Sequence, residues 1–481
     1  MSSPHSPCPI ATHAAHRPQA PALIAPGSRW TYAELDARVA ATADALRTQG
    51  ASAGDRIALR WPRSPAAVVL IAALARIGAV VALLSHRLPP GGVVHACERI
   101  GAKALCTCES DIAESARANR LPVWMQSGLP QSANASVPSD AHIRLEEPGT
   151  LIFTSGSTGT PKAVLHTWGQ HAASARGSET ILPLRSVDRW LLSLPLYHVG
   201  GLAILVRCVR AGAAVVFPDA HAPLAHTLSQ HAITHASLVP TQLRRLLRCT
   251  DRAPSSLQGV LLGGAALPPA LIGEALDAGW PLHTTYGCTE MASQIATTPP
   301  DASRECLLHT AGQPLPHVEL TTDDQGELLV RGASLFCGYV EGDAVTPART
   351  SDGWYRTGDV GHFDTDGFLH VDGRADRMFI SGGENIHPEE IEAALRRLKD
   401  VEEAAVAPVP DPEFGHRPVA FVRMTDGRPP PSSLQDRLAD VLPSFKIPVS
   451  FFALPNEALE NRLKVDRTAL AQKIRTMLSS A

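Results

Sequence analysis

The chain has 481 residues, of which 44% are hydrophobic and 19% charged, and its formal net charge is −4. That length accommodates two or three domains, and that composition is typical of a globular enzyme rather than a disordered chain. Because 43 basic residues nearly balance 47 acidic ones, no broad basic surface is expected, and we do not expect nucleic acid as a partner.

Cysteine usage and hydropathy indicate the compartment. The nine cysteines are scattered and form no Cys-x-x-Cys pair, which argues against a disulfide or zinc framework and favours a reducing cytoplasm. The first 18 residues place no Lys or Arg ahead of an apolar core, so we expect no secretory signal. The apolar run 66–84 contains Arg76 and Gly78, and we interpret it as a buried helix followed by a strand, without membrane insertion.

The first hundred residues alternate helix and strand patterns. Thr31 precedes Glu34 by three residues, which predicts a capping box at the start of a helix. Strands are predicted at 55–59 and 79–84, and the alternation continues through Cys106. This pattern is typical of a parallel, doubly wound sheet.

The middle of the chain continues this pattern after a predicted loop at 126–148. Each predicted strand ends in a glycine-rich or polar turn, and open α/β sheets bind ligands at such carboxyl ends. The strands are predicted at 188–196, 213–218, 234–239, 259–262 and 283–287.

From Gly326 the pattern changes to short strands and turns, and a polar, turn-prone stretch follows at 373–377. We therefore predict an α/β protein with a large N-terminal domain, 1–375, of layered, mostly parallel sheets and a small β-rich subdomain. Residues 376–481 are predicted to form a small α+β domain.

Residues 151–165, LIFTSGSTGTPKAVL, predict a loop that wraps polyphosphate. Glycines allow consecutive N–H groups to converge on an anion, and a lysine adds a mobile positive charge. The spacing differs from the common P-loop, and a solvated Gly/Ser turn is the structural alternative. The candidate phosphate-binding residues are Thr154, Ser155, Gly156, Ser157, Thr158, Gly159 and Lys162.

Four strings together carry a family resemblance: TSGSTGTPK, YGCTE, YRTGD and the Gly-Arg pair at 373–374. Their order and spacing resemble those of the adenylate-forming acyl-CoA synthetase superfamily, from about residue 28 to the C-terminus. The resemblance implies that a carboxylic acid reacts with ATP to give an acyl-adenylate and pyrophosphate, after which the CoA thiol displaces AMP. It implies ATP and Mg²⁺, with coenzyme A as co-substrate.

The resemblance also implies the nucleotide site. Glu290 resembles the magnesium-binding carboxylate, a hard oxygen ligand suited to that ion, although a helix-initial glutamate is the plain alternative. Asp359 resembles the carboxylate that holds the ribose hydroxyls, with Arg374 beside it. The remaining nucleotide contacts implied are Gly263, Gly264, Ala265, Tyr286, Gly287 and Thr289.

For the C-terminal part, the resemblance implies a mobile domain that swings about a hinge at Asp376. Gly382 and Gly383 resemble the loop that lines the pantetheine channel. Lys464 resembles the lysine that reaches the acyl carboxylate and α-phosphate, where an ammonium neutralises gathering charge. Leu463 stands where the family has glycine, and a structural surface lysine is the alternative.

The stretches WLLSLPLYHVGG, HASLVPTQLRRLL and FISGGENIHPEEIE resemble the o-succinylbenzoate–CoA ligase branch, which serves menaquinone biosynthesis. That acid has two carboxylates, and only one is activated. Arg207, nine residues after His198, stands where the branch has its substrate arginine; a salt bridge to an internal carboxylate is the alternative. His198, Thr241 and Gly287 are implied as acid contacts, and Thr154, Glu290, His198 and Lys464 as catalytic residues.

The resulting hypothesis is ATP-dependent ligation of o-succinylbenzoate to coenzyme A. Two alternatives stay open: a ligase for another aryl or acyl acid, and a standalone adenylating enzyme that loads a carrier protein. The expected partners are a small carboxylic acid, ATP and CoA, while the oligomeric state is left open, a homo-oligomer included.

Overall fold

The structure is a computed structural model of the chain, and it describes residues 5–125, 141–154, 161–219, 221–265, 267–381, 384–411, 414–439, 441–455 and 470. Helices and strands alternate along most of these residues. The α-helices of the described residues are α1 (Pro9–His16), α2 (Tyr32–Thr48), α3 (Pro65–Ile77), α4 (Pro90–Arg99), α5 (Ser110–Ala118), α6 (Trp168–Glu179), α7 (Val199–Ala211), α8 (Leu224–Gln230), α9 (Pro240–Leu247), α10 (Pro269–Asp277), α11 (Arg304–His309), α12 (Pro388–Arg396) and α13 (Leu434–Ala439).

The strands of the same residues range in length from two residues, at Gln313–Pro314, to eleven, at Val401–Asp411. They are β1 (His5–Pro7), β2 (Pro21–Ala25), β3 (Ser28–Thr31), β4 (Arg56–Arg60), β5 (Val80–Leu83), β6 (Ala104–Thr107), β7 (Val123–Met125), β8 (His142–Arg144), β9 (Pro148–Thr154), β10 (Lys162–Thr167), β11 (Arg189–Leu191), β12 (Ala214–Val216), β13 (His235–Leu238), β14 (Gly259–Leu262), β15 (Leu282–Cys288), β16 (Ser293–Thr297), β17 (Gln313–Pro314), β18 (Val318–Thr322), β19 (Glu327–Gly332), β20 (Gly338–Glu341), β21 (Ala344–Thr346), β22 (Tyr355–Phe363), β23 (Leu369–Arg374), β24 (Phe379–Ser381), β25 (Glu384–Ile386), β26 (Val401–Asp411), β27 (Gly415–Met424) and β28 (Phe451–Ala453).

Two large sheets form most of the N-terminal part. One has the order β21-β20-β10-β9-β5-β4-β6-β7 and the other the order β17-β16-β15-β14-β13-β11-β12-β2-β3. The strands from β9 to β7 pair in parallel, as do those from β15 to β2, and antiparallel strands complete the edges. The predicted α/β class with layered, mostly parallel sheets is confirmed.

The main core lies between the two sheets. Apolar residues of α2, α3 and α7, such as Leu35, Leu74 and Leu202, pack there against β4, β5 and β12. Helices α4 and α5 cover the outer face of the first sheet, and α9 and α10 cover the outer face of the second. The burial of apolar area between these layers is the main stabilising contribution to the fold.

Local sequence determines where the two inner helices begin and end. Thr31 and Glu34 exchange side-chain and backbone hydrogen bonds, so the predicted capping box of α2 is confirmed. Helix α3 begins after Ser64 and ends at Gly78, whose φ of +82° is the left-handed conformation that glycine adopts without strain. Among the helices of the described residues, none has the length and apolarity that a bilayer crossing requires.

Besides the two large sheets and the two-stranded β1–β8 sheet, the described residues form two smaller sheets. Strands β18-β19-β22-β23 form one, and β25-β24-β27-β26 with β28 beside β27 form the other. The smaller sheet that contains β26 and β27 packs against α12 and α13, and together they enclose a separate apolar core. Arg248, after α9, forms a 2.8 Å ion pair with Glu402 of β26, which joins this C-terminal sheet to the larger part of the molecule.

Two sequence predictions are wrong in extent. The strand predicted at 188–196 is only β11, because the N–H of Ser193 bonds back to Leu191 of its own strand instead of to a neighbour. The predicted loop 126–148 contains β8, whose residues 142–144 pair with β1 near the N-terminus. A partner so distant along the chain leaves no local pattern.

Candidate active site

The β9–β10 hairpin carries the ends of the predicted phosphate loop. Thr154 lies opposite Lys162 in the antiparallel register, and buried Ile152 and Val164 anchor the two strands. The exposed Lys162 ammonium lies 4.8 Å from the ring centroid of Tyr339, a cation–π contact that holds the side chain toward the site. The residues predicted between these ends lie outside the described part of the chain: Ser155, Gly156, Ser157, Thr158 and Gly159.

Arg99, at the end of α4, fixes the second end of this loop. Its Nη1 donates to the carbonyl of Pro161 at 2.5 Å, directly before Lys162. Its own carbonyl accepts from the N–H of Gly342, in the turn that follows β20. One helix end thus holds both the lysine and the strand that bears Tyr339.

Glu290 lies in the short 3₁₀ helix 289–291 that follows β15, and its side chain is largely buried. The hydroxyl of Tyr339 donates to its Oε1 at 2.8 Å, and the hydroxyls of Tyr339 and Tyr355 lie 2.9 Å apart. Burial, followed by the charge of Glu290, raises the pKa of both tyrosines, so they stay protonated. The carboxylate is therefore held in a fixed orientation.

This arrangement fits a magnesium ion that is held mainly by phosphates and water. Mg²⁺ commonly takes one or two protein carboxylates and completes its shell with substrate oxygens. Within the described residues, no group of three or more His, Cys, Asp or Glu side chains converges as a metal cage. Glu290, oriented by Tyr339, would supply a single hard oxygen ligand of the required kind.

Asp359 of β22 forms the second polar centre. Its Oδ2 accepts from the hydroxyl of Tyr286 at 2.6 Å, and its Oδ1 accepts from Nη1 of Arg374 at 3.2 Å. The β22–β23 register places Asp359 directly opposite Arg374. Burial, followed by the charge of Asp359, raises the pKa of Tyr286 well above its usual value. The structure thus joins three of the predicted nucleotide residues.

Arg374 also reaches the predicted hinge. Its Nε and Nη2 donate to the two carboxylate oxygens of Asp376 at 3.1 and 2.9 Å. The hydrogen bond with Asp376 is the main cause that raises the pKa of Arg374, and the nearby charge of Asp359 adds to it. One guanidinium therefore binds both carboxylates.

The predicted adenine stretch follows β14, next to β15 in the second sheet. Gly264 has φ +79°, a conformation that disfavours other residues, and Gly263 and Ala265 flank it. At Gly287 a Cβ would lie 1.8 Å from the carbonyl oxygen of Ser293, so only glycine fits where β15 and β16 meet. Thr289 follows two residues later, in the turn that bears Glu290.

Arg207 is buried in α7, with 3% of its surface exposed. Its guanidinium lies 5.3 Å from the ring centroid of Trp190, and its Nη2 donates to Oε1 of Gln294 at 2.6 Å. Ser293 Oγ lies 3.5 Å from the same nitrogen. Burial lowers the pKa of Arg207 to about 10, which still leaves the group charged at neutral pH.

No carboxylate within the described residues forms an ion pair with Arg207. Glu179, whose charge acts on Arg207 through space, pairs with Arg210 at 3.2 Å. Nε of Arg207 is buried and has no hydrogen-bond partner in the same part of the chain. Because a buried, unpaired charge costs several kcal/mol, this guanidinium is suited to an anion supplied from outside the protein.

His198 and Thr241 lie at the starts of two helices near this region. His198 is the residue before α7, and its ring lies 4.7 Å from that of Tyr197. Thr241 is half-buried in the first turn of α9. Gln242, next to it, donates to the carbonyl of Ser193 in the segment that leads to His198. The two predicted acid contacts therefore belong to neighbouring segments.

Three residues of the site were not predicted: Tyr339, Gln294 and Arg99. Each acts through a partner more than 45 residues away, so no local motif marks it. Gln294 does not stand out within its strand either, because Ser293 and Thr297 of SQIAT are also polar. Three further predicted residues, Gly382, Gly383 and Lys464, lie outside the part that the structure describes.

Two family models match the chain. One, described as AMP-binding enzyme, matches residues 10–340, and one described as AMP-binding enzyme C-terminal domain matches residues 390–461. The chain is 35% identical over 465 residues to a 2-succinylbenzoate–CoA ligase of Bacillus pumilus, which covers 94% of this chain and 95% of that protein.

Solved structures resemble the fold over nearly its whole length. The o-succinylbenzoate coenzyme A synthetase of Bacillus subtilis, solved with an acyl-adenylate intermediate, superposes with a TM-score of 0.86 at 31% identity, covering 96% of this chain and 99% of that one. The same enzyme with ATP and magnesium gives a TM-score of 0.86 at 32% identity, covering 94% and 96%. Together with the matched domains and the polar centres around Glu290 and Asp359, these similarities show that the chain belongs to the family of AMP-binding enzymes.

Proposed function

We propose that the protein ligates o-succinylbenzoate to coenzyme A through an acyl-adenylate. The observation that carries the choice of acid is Arg207, a buried cation without a carboxylate partner among the described residues. An acid with a second, unreacting carboxylate supplies that partner. The relatives named above support the same assignment.

In the first step, an oxygen of the succinyl carboxylate attacks the α-phosphorus of ATP. The bond to the bridging oxygen breaks, and pyrophosphate leaves with that electron pair. The loop from Thr154 to Lys162 binds the phosphates, while Gly263, Gly264 and Ala265 border the adenine, and Asp359 with Arg374 binds the ribose hydroxyls. Preorganised donors and charges lower the barrier of such phosphoryl chemistry.

Glu290 would hold a magnesium ion, which would neutralise charge on the phosphate oxygens. Tyr286, Gly287 and Thr289 border the nucleotide between that carboxylate and Asp359. Lys464, from the C-terminal domain, neutralises the negative charge shared by the acid and the α-phosphate. His198, Thr241 and Gly287 line the acid, whose benzoate carboxylate pairs with Arg207.

In the second step, the C-terminal domain, residues 376–481, rotates about Asp376. The CoA sulfur, reaching the site past Gly382 and Gly383, attacks the acyl carbon of the adenylate. The mixed-anhydride bond breaks, AMP leaves with its electron pair, and the thiol proton is lost. We place the enzyme in the cytoplasm, where ATP and CoA are available and where its nine cysteines, all free thiols, remain reduced.

The direct test incubates the protein with ATP, Mg²⁺, CoA and o-succinylbenzoate, and measures pyrophosphate release together with the thioester by mass spectrometry. A parallel reaction uses 4-oxo-4-phenylbutanoate, which lacks the aromatic carboxylate. We expect the truncated acid to bind more weakly by about 2–5 kcal/mol, as for a broken buried charge pair.

Thioester formation with other acids but none with o-succinylbenzoate would overturn the assignment. Adenylation without transfer to CoA would instead indicate an enzyme that loads a carrier protein. Both results are read from the same reaction mixtures.

A further inference from the structure

Gln294 holds the guanidinium of Arg207 from one side. It is the second residue of β16, four residues after Glu290, and only 3% of its surface is exposed. Its Oε1 accepts from Nη2 of Arg207 at 2.6 Å. Because arginine carries only donors, the amide has to present its oxygen there, which fixes the orientation of the amide group.

The other end of the amide is bound as well. Nε2 of Gln294 donates to Oγ1 of Thr297 at 2.8 Å, with Oγ1 of Thr285 at 3.4 Å. The hydroxyl of Thr285 donates to the carbonyl of Ala296 at 2.8 Å, so it accepts from Thr297, whose oxygen lies 2.8 Å away. Both threonine oxygens therefore face the amide as acceptors. Apart from Arg207 itself, this network contains no charged group.

The neutrality of this network has a consequence for Arg207. A neutral amide oxygen orients a guanidinium without cancelling its charge, whereas a carboxylate at the same position would form an internal ion pair. Trp190 packs beside the guanidinium, and the buried Nε of Arg207 has no hydrogen-bond partner in the described part of the chain. One edge of the fork is thus held, and the charge stays available for an incoming anion.

We infer that Gln294 is a positioning residue that presents Arg207 to the non-reacting carboxylate of the acid and that selects for a dianionic substrate by remaining neutral. This inference rests on the proposed function. Strand β16 thereby takes part in the choice of acid, directly after the turn whose Glu290 we propose as the magnesium ligand.

The test compares Gln294→Leu and Gln294→Glu with the wild-type protein, using o-succinylbenzoate and 4-oxo-4-phenylbutanoate as acids. The leucine variant removes the orienting acceptor, and we expect KM for o-succinylbenzoate to rise about tenfold or more, as for a lost hydrogen bond to a charged group. KM for ATP and kcat should stay within about twofold. The truncated acid should be little affected.

The glutamate variant provides the decisive contrast. Its carboxylate neutralises Arg207, so KM for the dicarboxylate should rise more than in the leucine variant, while the truncated acid should lose no affinity. Gln258→Glu is the matched control, because Gln258 also accepts from an arginine, Arg185, but at an exposed position just before β14. If the leucine variant does not fold, the glutamate variant, of equal size, carries the test alone.

Equal losses for both acids, or a fall in kcat with a rise in KM for ATP, would show a merely structural role and overturn the inference. A double variant with Arg207→Met gives an independent readout: replacement of Gln294 should then have no further effect on KM for the dicarboxylate, and additive losses would contradict us. A wild-type protein inactive toward o-succinylbenzoate overturns the proposed function and this inference together, and is seen before any variant is made.

Discussion

The hydroxyl of Tyr286 donates to Oδ2 of Asp359 at 2.6 Å, while Arg374 holds the other oxygen of the same carboxylate. The tyrosine comes from β15 of the second large sheet and the aspartate from β22 of a smaller one. This contact therefore ties two sheets together at the place where we propose that the ribose binds.

We expect Tyr286→Phe to raise KM for ATP about tenfold, because a hydrogen bond to a charged group contributes about 1.5–3 kcal/mol. KM for the acid should stay within about twofold. The control is Tyr32→Phe, a buried tyrosine whose hydroxyl bonds to the carbonyl of Ala213. That variant should lower stability without changing KM for ATP; equal effects on ATP from both variants would contradict the prediction.

Arg207→Lys should raise KM for o-succinylbenzoate about 10- to 100-fold, since lysine keeps the charge but loses the planar fork. For 4-oxo-4-phenylbutanoate the change should be less than about threefold. Arg210→Lys serves as the control, because Arg210 lies on the same helix as Arg207 but pairs with Glu179 of α6. A loss of equal size for both acids would exclude Arg207 from carboxylate binding.

Tyr339→Phe should raise the Mg²⁺ concentration for half-maximal adenylation about tenfold, because Glu290 loses the donor that orients it. At saturating Mg²⁺ the rate should recover. Tyr355→Phe, which removes a hydroxyl that contacts Tyr339, should have a smaller effect. Identical magnesium curves for the two variants would argue against a direct role of Tyr339.

The free energy of unfolding should fall as pH is lowered from 7 toward 5. Burial lowers the pKa of His166, His235 and His317 to about 4, and burial also lowers the pKa of His171 well below its usual value. In the unfolded chain these groups take up a proton near pH 6.5, so between about 6.5 and 4 the unfolded state binds more protons. This part of the stability is complete above pH 6.5 and is lost as pH falls.

We expect a loss of about 2 kcal/mol per fully buried histidine between pH 6.5 and 5. Urea unfolding at several pH values measures it. His235→Phe, which retains a ring beside Trp190, should flatten the dependence, whereas exchange of the exposed His221 for Asn should leave it unchanged. An unaltered slope in the His235 variant would contradict this account.

The sequence predicted what short-range rules determine. The capping box at Thr31 and the helix–strand division of 66–84 follow from residues within one or two turns of each other. The length of β11 was wrong because an apolar run marks burial, and burial continues at Leu192 and Leu196 after the backbone has left the sheet. Strand β8 was missed because its pairing partner is near the N-terminus.

The contrast between short-range patterns and long-range contacts also applies to the candidate site. Residues within contiguous motifs, such as Tyr286 and Asp359, were predicted, and the structure brings them together. Tyr339 and Gln294 were not, because their function depends on strands and helices that meet only after folding.

The β15–β16 hairpin carries Tyr286, Glu290 and Gln294 on one continuous piece of chain. Arg207 reaches it from the separate helix α7. For a protein engineer, the proposed roles of these residues mean that the hairpin has to be kept intact, since a shift in it would disturb the binding of both ATP and the acid. Substitutions in helix α7, at Arg207 and its neighbours, are the route to a different acid, and we expect them to leave ATP binding unchanged.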